Sequence, residues 1–389
     1  MVKILHISSK NVFLNEAVSS FERVFPQQNS VWLHSCNVSS GTDVHRFERS
    51  FSMSDFFRFS FYRELRNFDL IVFHSLSIFL YPIILFSSKK TKLAWLGWGF
   101  DYYDYISDNK KNFILPATLK IKDLIHQSLQ SEKADYSPFK KIIKAVYLMF
   151  FEKKAISKFN SFSPVLHSEY QLIEQLKLMH HVPDFCQWNY GSLEDFHAKN
   201  ILGKTVTGNA ILIGNSATYT NNHIEAFETI STSLSRINAV RDVYVPLSYG
   251  DESYKDYVVD YGRDFFKHAF KPVLEFMPLD EYSTLLMNCG FVVMNHIRQQ
   301  ALGNIIMMVY LGARVFLRED NPLYDYFVGI GAVVNKISDL ESHPELLSTP
   351  LTEADIKANK KALYTHWSRA VIDSNTEKLV RYHVGPRAD

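Results

Sequence analysis

Two stretches hold the residue types that anion chemistry needs. In ILIGNSATYTNNHIEA (Ile211–Ala226) an apolar run enters Gly214-Asn215-Ser216 and leaves through Asn221 and Asn222 into a helical pattern that starts at His223. Glycine permits a tight turn and close backbone approach, and free N–H groups at a helix start attract phosphate. Asn215 and Ser216 add side-chain donors. A plain strand-to-helix turn with an Asn cap reads the same way. In MNHIRQQALGNIIMMVYLGARVFL (Met294–Leu317) a strand ends at Met294-Asn295. His296, Arg298, Gln299, Gln300 and the pair Gly303-Asn304 follow, at the opening of an apolar helix. Arg298 can bond phosphate oxygens bidentately, or sit in a surface ion pair. With helix-start amides near Gly303, it supplies what a departing diphosphate needs as charge develops on it.

Three further stretches stand at strand ends. VPLSYG (Val245–Gly250) presents Ser248, Tyr249 and Gly250. LEFMPLDEYSTLLMNCG (Leu274–Gly290) is a short strand, a Phe-Met-Pro turn holding Phe276, and an amphipathic helix. WLGWGFDYYDYI (Trp95–Ile106) places Asp101 and Asp104 in an aromatic loop with Trp98, Tyr102 and Tyr103. Aromatic faces suit the C–H faces of sugars, and a carboxylate there can accept a hydroxyl proton. The Asp spacing is wrong for a DxD metal motif and no His/Cys/Asp cluster accompanies it, so no metal is expected. His6, His34 and His74 each end a buried strand. They line a ligand site or are simply hydrogen-bonded structure.

These residues need elements to position them. Val2–Ser8, Ser30–Ser35, Phe68–Ser75 and Lys92–Gly99 read as strands, with a helix over Asn15–Phe25. A middle rich in Lys, Ile and Phe follows (Ile121–Lys158). Ser161–Ile173 reads as strand, turn and helix, and Asp184–Phe196 has the composition of a linker. The alternation restarts at Ala210. Strands are expected over 210–214, 242–248, 274–277, 290–295, 313–318 and 331–335. Helices are expected over His223–Ser235, Asp251–Ala269, Leu279–Asn288, Leu302–Leu311 and Asn321–Phe327, and Thr352–Arg381 is mostly helical around Trp367. Apolar runs alternating with helical segments predict two successive doubly wound α/β units with parallel sheets. Ligands in such units lie outside the carboxyl ends of the strands, and two of them would face each other across a cleft.

The 389 residues are 47% hydrophobic and 21% charged, which fits a globular protein of two domains. The net charge of +1 argues against a dedicated nucleic-acid binder. Residues 1–190 hold 23 Lys and Arg against 17 Asp and Glu, a surplus of six that suggests an anionic partner for the first half. Cys36, Cys186 and Cys289 form no CxxC pair, so a reducing compartment fits. The opening MVKILHISSK goes straight into a strand pattern and does not read as a signal peptide. The apolar stretch Leu70–Phe86 is interrupted by His74 and Pro82 and does not read as a membrane span. HISSKNVF stands where a dehydrogenase would carry G-x-G-x-x-G.

LIGNSATYTNNHIEA, VPLSYG, LEFMPLDEYSTLL, RQQALGNI and REDNPLY follow one another in the order and spacing of glycosyltransferase family 56. These are the bacterial 4-acetamido-4,6-dideoxygalactose (Fuc4NAc) transferases of enterobacterial common antigen synthesis. WGFDYYDY resembles the Trp-Gly-x-Asp-x-Tyr segment of that family, and YTHWSRAV looks like its closing Trp helix. The resemblance covers most of the second half; in the first it rests on one loop. It implies the GT-B fold: a Rossmann-like acceptor domain over 1–190, a Rossmann-like nucleotide-sugar domain over 191–355, and a helical segment over 356–389 packing back on the first domain. It implies an inverting transferase without metal or cofactor, a dTDP-linked deoxyamino sugar as donor, and an undecaprenyl diphosphate-linked oligosaccharide as acceptor. An O-antigen or capsule intermediate fits as well as common antigen.

By carry-over, the donor would be touched by Gly214, Asn215, Ser216, Asn221, Asn222, His223, Tyr249, Phe276, Arg298, Gln299, Gln300, Gly303 and Asn304. Asp101 would be the general base, with Trp98, Tyr102 and Tyr103 on the acceptor. A nucleotide-sugar epimerase of the same fold and a non-catalytic nucleotide-sugar-binding protein are the rival readings. Two basic, aromatic segments, Ser137–Phe159 and Phe51–Arg66, suit either an anionic bilayer surface or an ordinary core-facing helix with a wet face. The expected location is peripheral, on the cytoplasmic face of the bacterial inner membrane.

Overall fold

The computed structural model describes residues 1–9, 11–34, 47–106, 113–130, 151–177, 179, 181–196 and 203–385. The chain divides into two compact units. The first comprises 1–110, 135–195 and 369–389; the second comprises 111–134 and 196–368.

The first unit is built on β1 (Ile4–Ser8), β2 (Asn29–His34), β3 (Arg49–Phe51), β4 (Leu70–His74), β5 (Lys92–Leu96), β6 (Ser161–Ser163) and β7 (Asp184–Phe185). All pairs are parallel, in the order β3-β2-β1-β4-β5-β6-β7. Every residue of β1 and β4 is buried, as a parallel sheet covered on both faces requires. The second unit repeats the plan with β8 (Ile211–Ile213), β9 (Val243–Pro246), β10 (Phe270–Val273), β11 (Phe291–Met294), β12 (Arg314–Leu317) and β13 (Asn335–Lys336). Its order is β10-β9-β8-β11-β12-β13, again all parallel. The strand order therefore reverses between β1 and β4 in one unit and between β8 and β11 in the other. Those are the switch points at which such sheets bind ligands.

Several expected boundaries differ. The strand expected over 274–277 lies at Phe270–Val273 instead. Phe270 pairs with Val243 and packs on Phe227 in the core, whereas Leu274 and Phe276 are exposed. Strand β3, which the sequence reading omits, is a three-residue edge strand too short for a periodic signal. Asp184–Phe196 is not a linker. It supplies β7 and a fully buried Trp188, whose indole N–H donates to Thr376 Oγ1 at 2.8 Å. The crossing to the second unit comes at its very end, after Asp195.

The compact units are divided elsewhere than at 190/191 and 355/356. Helix Pro116–Gln130 belongs to the second unit, where Ile121 and Ile125 enter the core. Its N-terminus is held there by Glu225. The backbone N–H groups of Ala117 and Thr118 donate to Glu225 Oε1 at 2.8 and 3.0 Å, and the Thr118 hydroxyl donates to Oε2 at 2.6 Å. A carboxylate taking orphan amides at a helix start is favoured by hydrogen bonding and by the helix dipole. The terminal helical segment is two helices with different allegiances. Glu353–Trp367 stays with the second unit, where the Trp367 indole donates to Tyr326 Oη at 2.7 Å. The chain turns at the extended Ser368, and Arg369–Val384 packs on helix Val12–Val24 of the first unit, joined by Arg23–Asp373 at 2.7 Å.

Candidate active site

The loops after β8 and β11 flank the switch point of the second unit. Gly214 leaves β8 at φ +69°, and its N–H donates to Val293 O of β11 at 3.0 Å. A Cβ here would stand 2.7 Å from Asn221 Oδ1 and 2.9 Å from His223 Nε2, so glycine is required by backbone and by space. Asn221 organises the loop. Its Oδ1 accepts from the Asn215 N–H (3.0 Å) and from His296 Nε2 (2.8 Å). Its Nδ2 donates to Ser216 O (2.9 Å) and Thr218 Oγ1 (2.8 Å). The amide oxygen only accepts, so His296 carries its proton on Nε2. The loop after β9 is tied in through Ala217. Its N–H donates to Tyr249 O (2.7 Å) and its carbonyl accepts from the Asp251 N–H (2.8 Å). Gly250, at φ +130°, has no room for a Cβ, which would lie 2.4 Å from Ala217 O.

On this frame stands a ring of half-buried polar groups. Asn215 Nδ2 donates to Tyr249 Oη at 2.8 Å. Gln300 Nε2 donates to Asn215 Oδ1 (3.1 Å) and Thr218 Oγ1 (3.2 Å), and the Thr220 hydroxyl donates to Gln300 Oε1 at 2.7 Å. Tyr249 is 54% exposed. Arg298 is half-buried two residues before Gln300 and donates from Nη1 to Gln299 O at 3.1 Å. Ala301 follows at φ +58° and caps helix Leu302–Tyr310 without a side-chain acceptor for its first amides. Gly303 and Asn304 lie in that first turn, both partly exposed. A guanidinium, helix-start N–H groups and hydroxyls along one edge of a sheet are hydrogen-bond donors, which suits a diphosphate.

The structure separates the expected donor contacts into two groups. Gly214, Tyr249, Arg298, Gln300, Gly303 and Asn304 stand in or beside this edge, and Asn215 takes part through its amide. Phe276 is 80% exposed on the loop after β10. Asn221, Asn222 and His223 are fully buried, and Ser216 and Gln299 nearly so. Asn222, at φ +50°, accepts from the Leu115 N–H (2.7 Å) and donates to Asn295 O (3.0 Å), so its amide is spent on cohesion. His223 Nδ1 pairs with Tyr254 Oη at 3.1 Å. Burial pushes His223 and His296 down to about 3, so both imidazoles are neutral; for His296 the Arg298 charge adds to the effect. Thr218 and Thr220, which sequence reading did not single out, hydrogen-bond to Gln300 in this ring. The signal was present as hydroxyls two residues apart, one before and one within the 3-10 turn Tyr219–Asn221.

In the first unit Asp101 ties together the loops after β4 and β5. Its Oδ2 accepts from the Leu76 N–H (2.9 Å) and Trp95 Nε1 (2.8 Å), and its Oδ1 from the Trp98 N–H (2.8 Å). Burial raises its pKa against the opposing pull of these three donors. Oδ1, with one donor, is the oxygen with capacity left for a proton. Tyr102 and Tyr103, expected on the acceptor, are buried. Both hydroxyls donate to Glu169, that of Tyr102 at 2.6 Å. Trp98 remains partly exposed, edge-on to Phe13 at 5.6 Å and to Phe100 at 6.1 Å. The side chain of Asp104 lies outside the described residues.

His6 and His74 form a buried relay. The Asn29 amide donates to Glu22 and to Phe25 O, so its Oδ1 faces His6 Nε2 at 3.2 Å. His6 Nδ1 then accepts from His74 Nε2 (2.9 Å), and His74 Nδ1 from Tyr190 Oη (3.0 Å). His34 packs on Phe79 at 5.2 Å. Sequence reading also missed Glu16, in the helix that follows β1. Its Oε2 is buried without a hydrogen-bond partner, and burial, with Asp195 nearby, pushes its pKa up to about 7.

Among the described residues no group of three or more His, Cys, Asp or Glu side chains is placed to hold a metal ion, and no helix is long and apolar enough to cross a membrane. Residues 195–334 match the family described as 4-alpha-L-fucosyltransferase glycosyl transferase group 56. The whole chain is similar in structure to Anabaena HepE, solved with UDP and glucose (TM-score 0.61, 9% identity, 98% of this chain and 99% of that one). It is similar to sucrose-phosphate synthase from Thermosynechococcus elongatus (0.64, 9%, 98% and 99%). It is also similar to the UDP-forming α,α-trehalose-phosphate synthase of Burkholderia xenovorans, solved with glucose-6-phosphate (0.59, 10%, 98% and 100%). The chain has the GT-B fold, and over residues 195–334 it is similar to the group 56 glycosyl transferases.

Proposed function

We propose that the protein transfers a deoxyamino sugar, Fuc4NAc or a close relative, from a dTDP-sugar to an undecaprenyl diphosphate-linked oligosaccharide of a bacterial surface polysaccharide. The transfer inverts the anomeric carbon, requires no metal, and takes place at the cytoplasmic face of the inner membrane. The observation that carries the nucleotide-sugar part is Arg298, which precedes a helix start without a side-chain cap and adjoins the Asn215–Tyr249–Gln300 ring. The group 56 match over this same region supports the sugar class.

The reaction is a single in-line displacement. The acceptor hydroxyl loses its proton to Asp101 and attacks the anomeric carbon. The bond to the nucleoside diphosphate breaks, and Arg298 with the amides around Gly303 stabilises the charge on the departing oxygen. In this reading the exposed rings of Tyr249 and Phe276 contact the base and ribose.

Titration of the purified protein with dTDP, UDP and GDP, read as a shift in thermal midpoint, tests the donor. A selective upward shift with dTDP is expected. A preference for UDP or GDP rejects the donor named here, and no shift with any of the three rejects the nucleotide site.

A further inference from the structure

Among the described residues the first unit leaves an aromatic face exposed beyond β3. The 3-10 turn Met53–Phe57 and helix Phe59–Leu65 bury Phe61 and Leu65 but leave Phe57 89% and Phe59 73% exposed. At the end of helix Tyr81–Phe86, Phe86 is 68% exposed, and its ring meets Tyr62 edge-on at 5.7 Å, so the two helices share one surface. Single exposed apolar residues are ordinary; several joined in one patch mark an interaction site.

Arg58, Arg63 and Arg66 stand exposed in the same segment. The acidic residues beside them are taken up by Arg49, which pairs with Asp55 at 3.3 Å and with Glu64. Arg58 keeps one contact of 3.5 Å to Asp55, and Arg63 and Arg66 make no ion pair among the described residues. Among the described residues Arg63 and Arg66 are thus unmatched and Arg58 only weakly paired, so the face carries a positive surplus whose complement is anionic. Phenylalanine rings with interspersed arginines form the pattern that enters the headgroup region of an anionic bilayer, rings inward and guanidinium groups on the phosphates.

We infer that the face formed by Phe57, Phe59 and Phe86 with Arg58, Arg63 and Arg66 docks the protein on an anionic lipid surface. The inference deepens the reading of a lipid-linked acceptor and rests on it for its purpose, but its test needs no substrate. Full-length protein is sedimented with vesicles of phosphatidylcholine alone and of phosphatidylcholine mixed with phosphatidylglycerol. Binding to the mixed vesicles only, weakened by added salt, is expected. Phe57→Ser with Phe59→Ser should weaken it at least about tenfold, and Arg63→Ala or Arg66→Ala about fivefold each.

All four positions are exposed, so the thermal midpoint and its shift with nucleotide should not move in these variants. Absence of vesicle binding, or binding unchanged in all variants, overturns the inference. Self-association lost in the Phe57/Phe59 variant, without vesicle binding, overturns it in favour of a contact between copies. Vesicle binding in a protein that shows no nucleotide shift leaves the face established and rejects the donor reading instead.

Discussion

Replacing Asn221 by Ala separates a residue that touches the donor from one that builds the loop beneath it. Asn221 is fully buried, and its amide makes four good hydrogen bonds, to Asn215 N–H, His296 Nε2, Ser216 O and Thr218 Oγ1. Truncation leaves the Thr218 hydroxyl satisfied, because it lies 3.1 Å from Ser216 Oγ. Asn215 N–H, the His296 Nε2 proton and Ser216 O lose a partner that nothing nearby replaces. Each buried orphan costs about 1–3 kcal/mol. Water entering the small space restores part, so the net loss is about 3–5 kcal/mol. For a unit of this size 1 kcal/mol moves the midpoint by about 2–4 °C, so a fall of roughly 10 °C is expected. Nucleotide affinity should fall with it, since Asn215 would no longer be held against Tyr249. Differential scanning calorimetry with and without nucleotide measures both. An Asn221→Ala protein with an unchanged midpoint but lost affinity would refute the reasoning and return Asn221 to the ligand.

Four further outcomes follow from the geometry. Arg298→Ala should weaken nucleoside diphosphate binding by roughly 10- to 100-fold, the value of a charge-assisted hydrogen bond; calorimetric titration showing an unchanged Kd would remove Arg298 from the site. Asp101→Asn keeps one acceptor oxygen for Leu76 and Trp95 but sets an amide against the Trp98 N–H, so a loss of about 1–3 kcal/mol is expected together with loss of turnover; near-full turnover would exclude Asp101 as the base. His6 is depressed to about 4 and His223 and His296 to about 3, so the unfolded chain takes up protons first as pH falls through about 6.5; stability is complete above that value and should drop by about 2 kcal/mol per imidazole by pH 5. Urea unfolding at pH 8, 6 and 5 checks this, and a flat profile would contradict the buried imidazoles. Glu16 has the opposite sign: its folded pKa is raised to about 7, so its contribution is intact below about 4.5 and is lost as pH rises through 7, and Glu16→Gln should be more stable than the native protein by about 2–3 kcal/mol at pH 8 and equal to it at pH 4.

The repeating alternation of apolar runs and helices was legible because strands covered on both faces must be continuously apolar, whatever else surrounds them. The loops at the carboxyl edges were legible for the same reason: a glycine or polar cluster directly after such a run lies at a carboxyl edge. The roles of individual side chains in those loops were less so. Asn215 and Asn221 look alike in GNSATYTNN, yet one ends in the polar ring and the other beneath it. That difference depends on His296 and Val293, some 75 residues away in the chain, which pair with the loop only once β8 and β11 are neighbours. Tyr102 and Tyr103 looked like sugar platforms until Glu169 drew both hydroxyls inward. Helix Pro116–Gln130 follows the first sheet's strands in sequence but joins the second unit, because Glu225 supplies the acceptor for its first amides. Sequence alone thus determined the two doubly wound units and the loops at the carboxyl edges of their sheets, since local burial and turn chemistry suffice for those. Which polar groups remain free for ligand was decided only by the tertiary structure, because a buried donor or acceptor must be satisfied by whichever partner the fold brings to it.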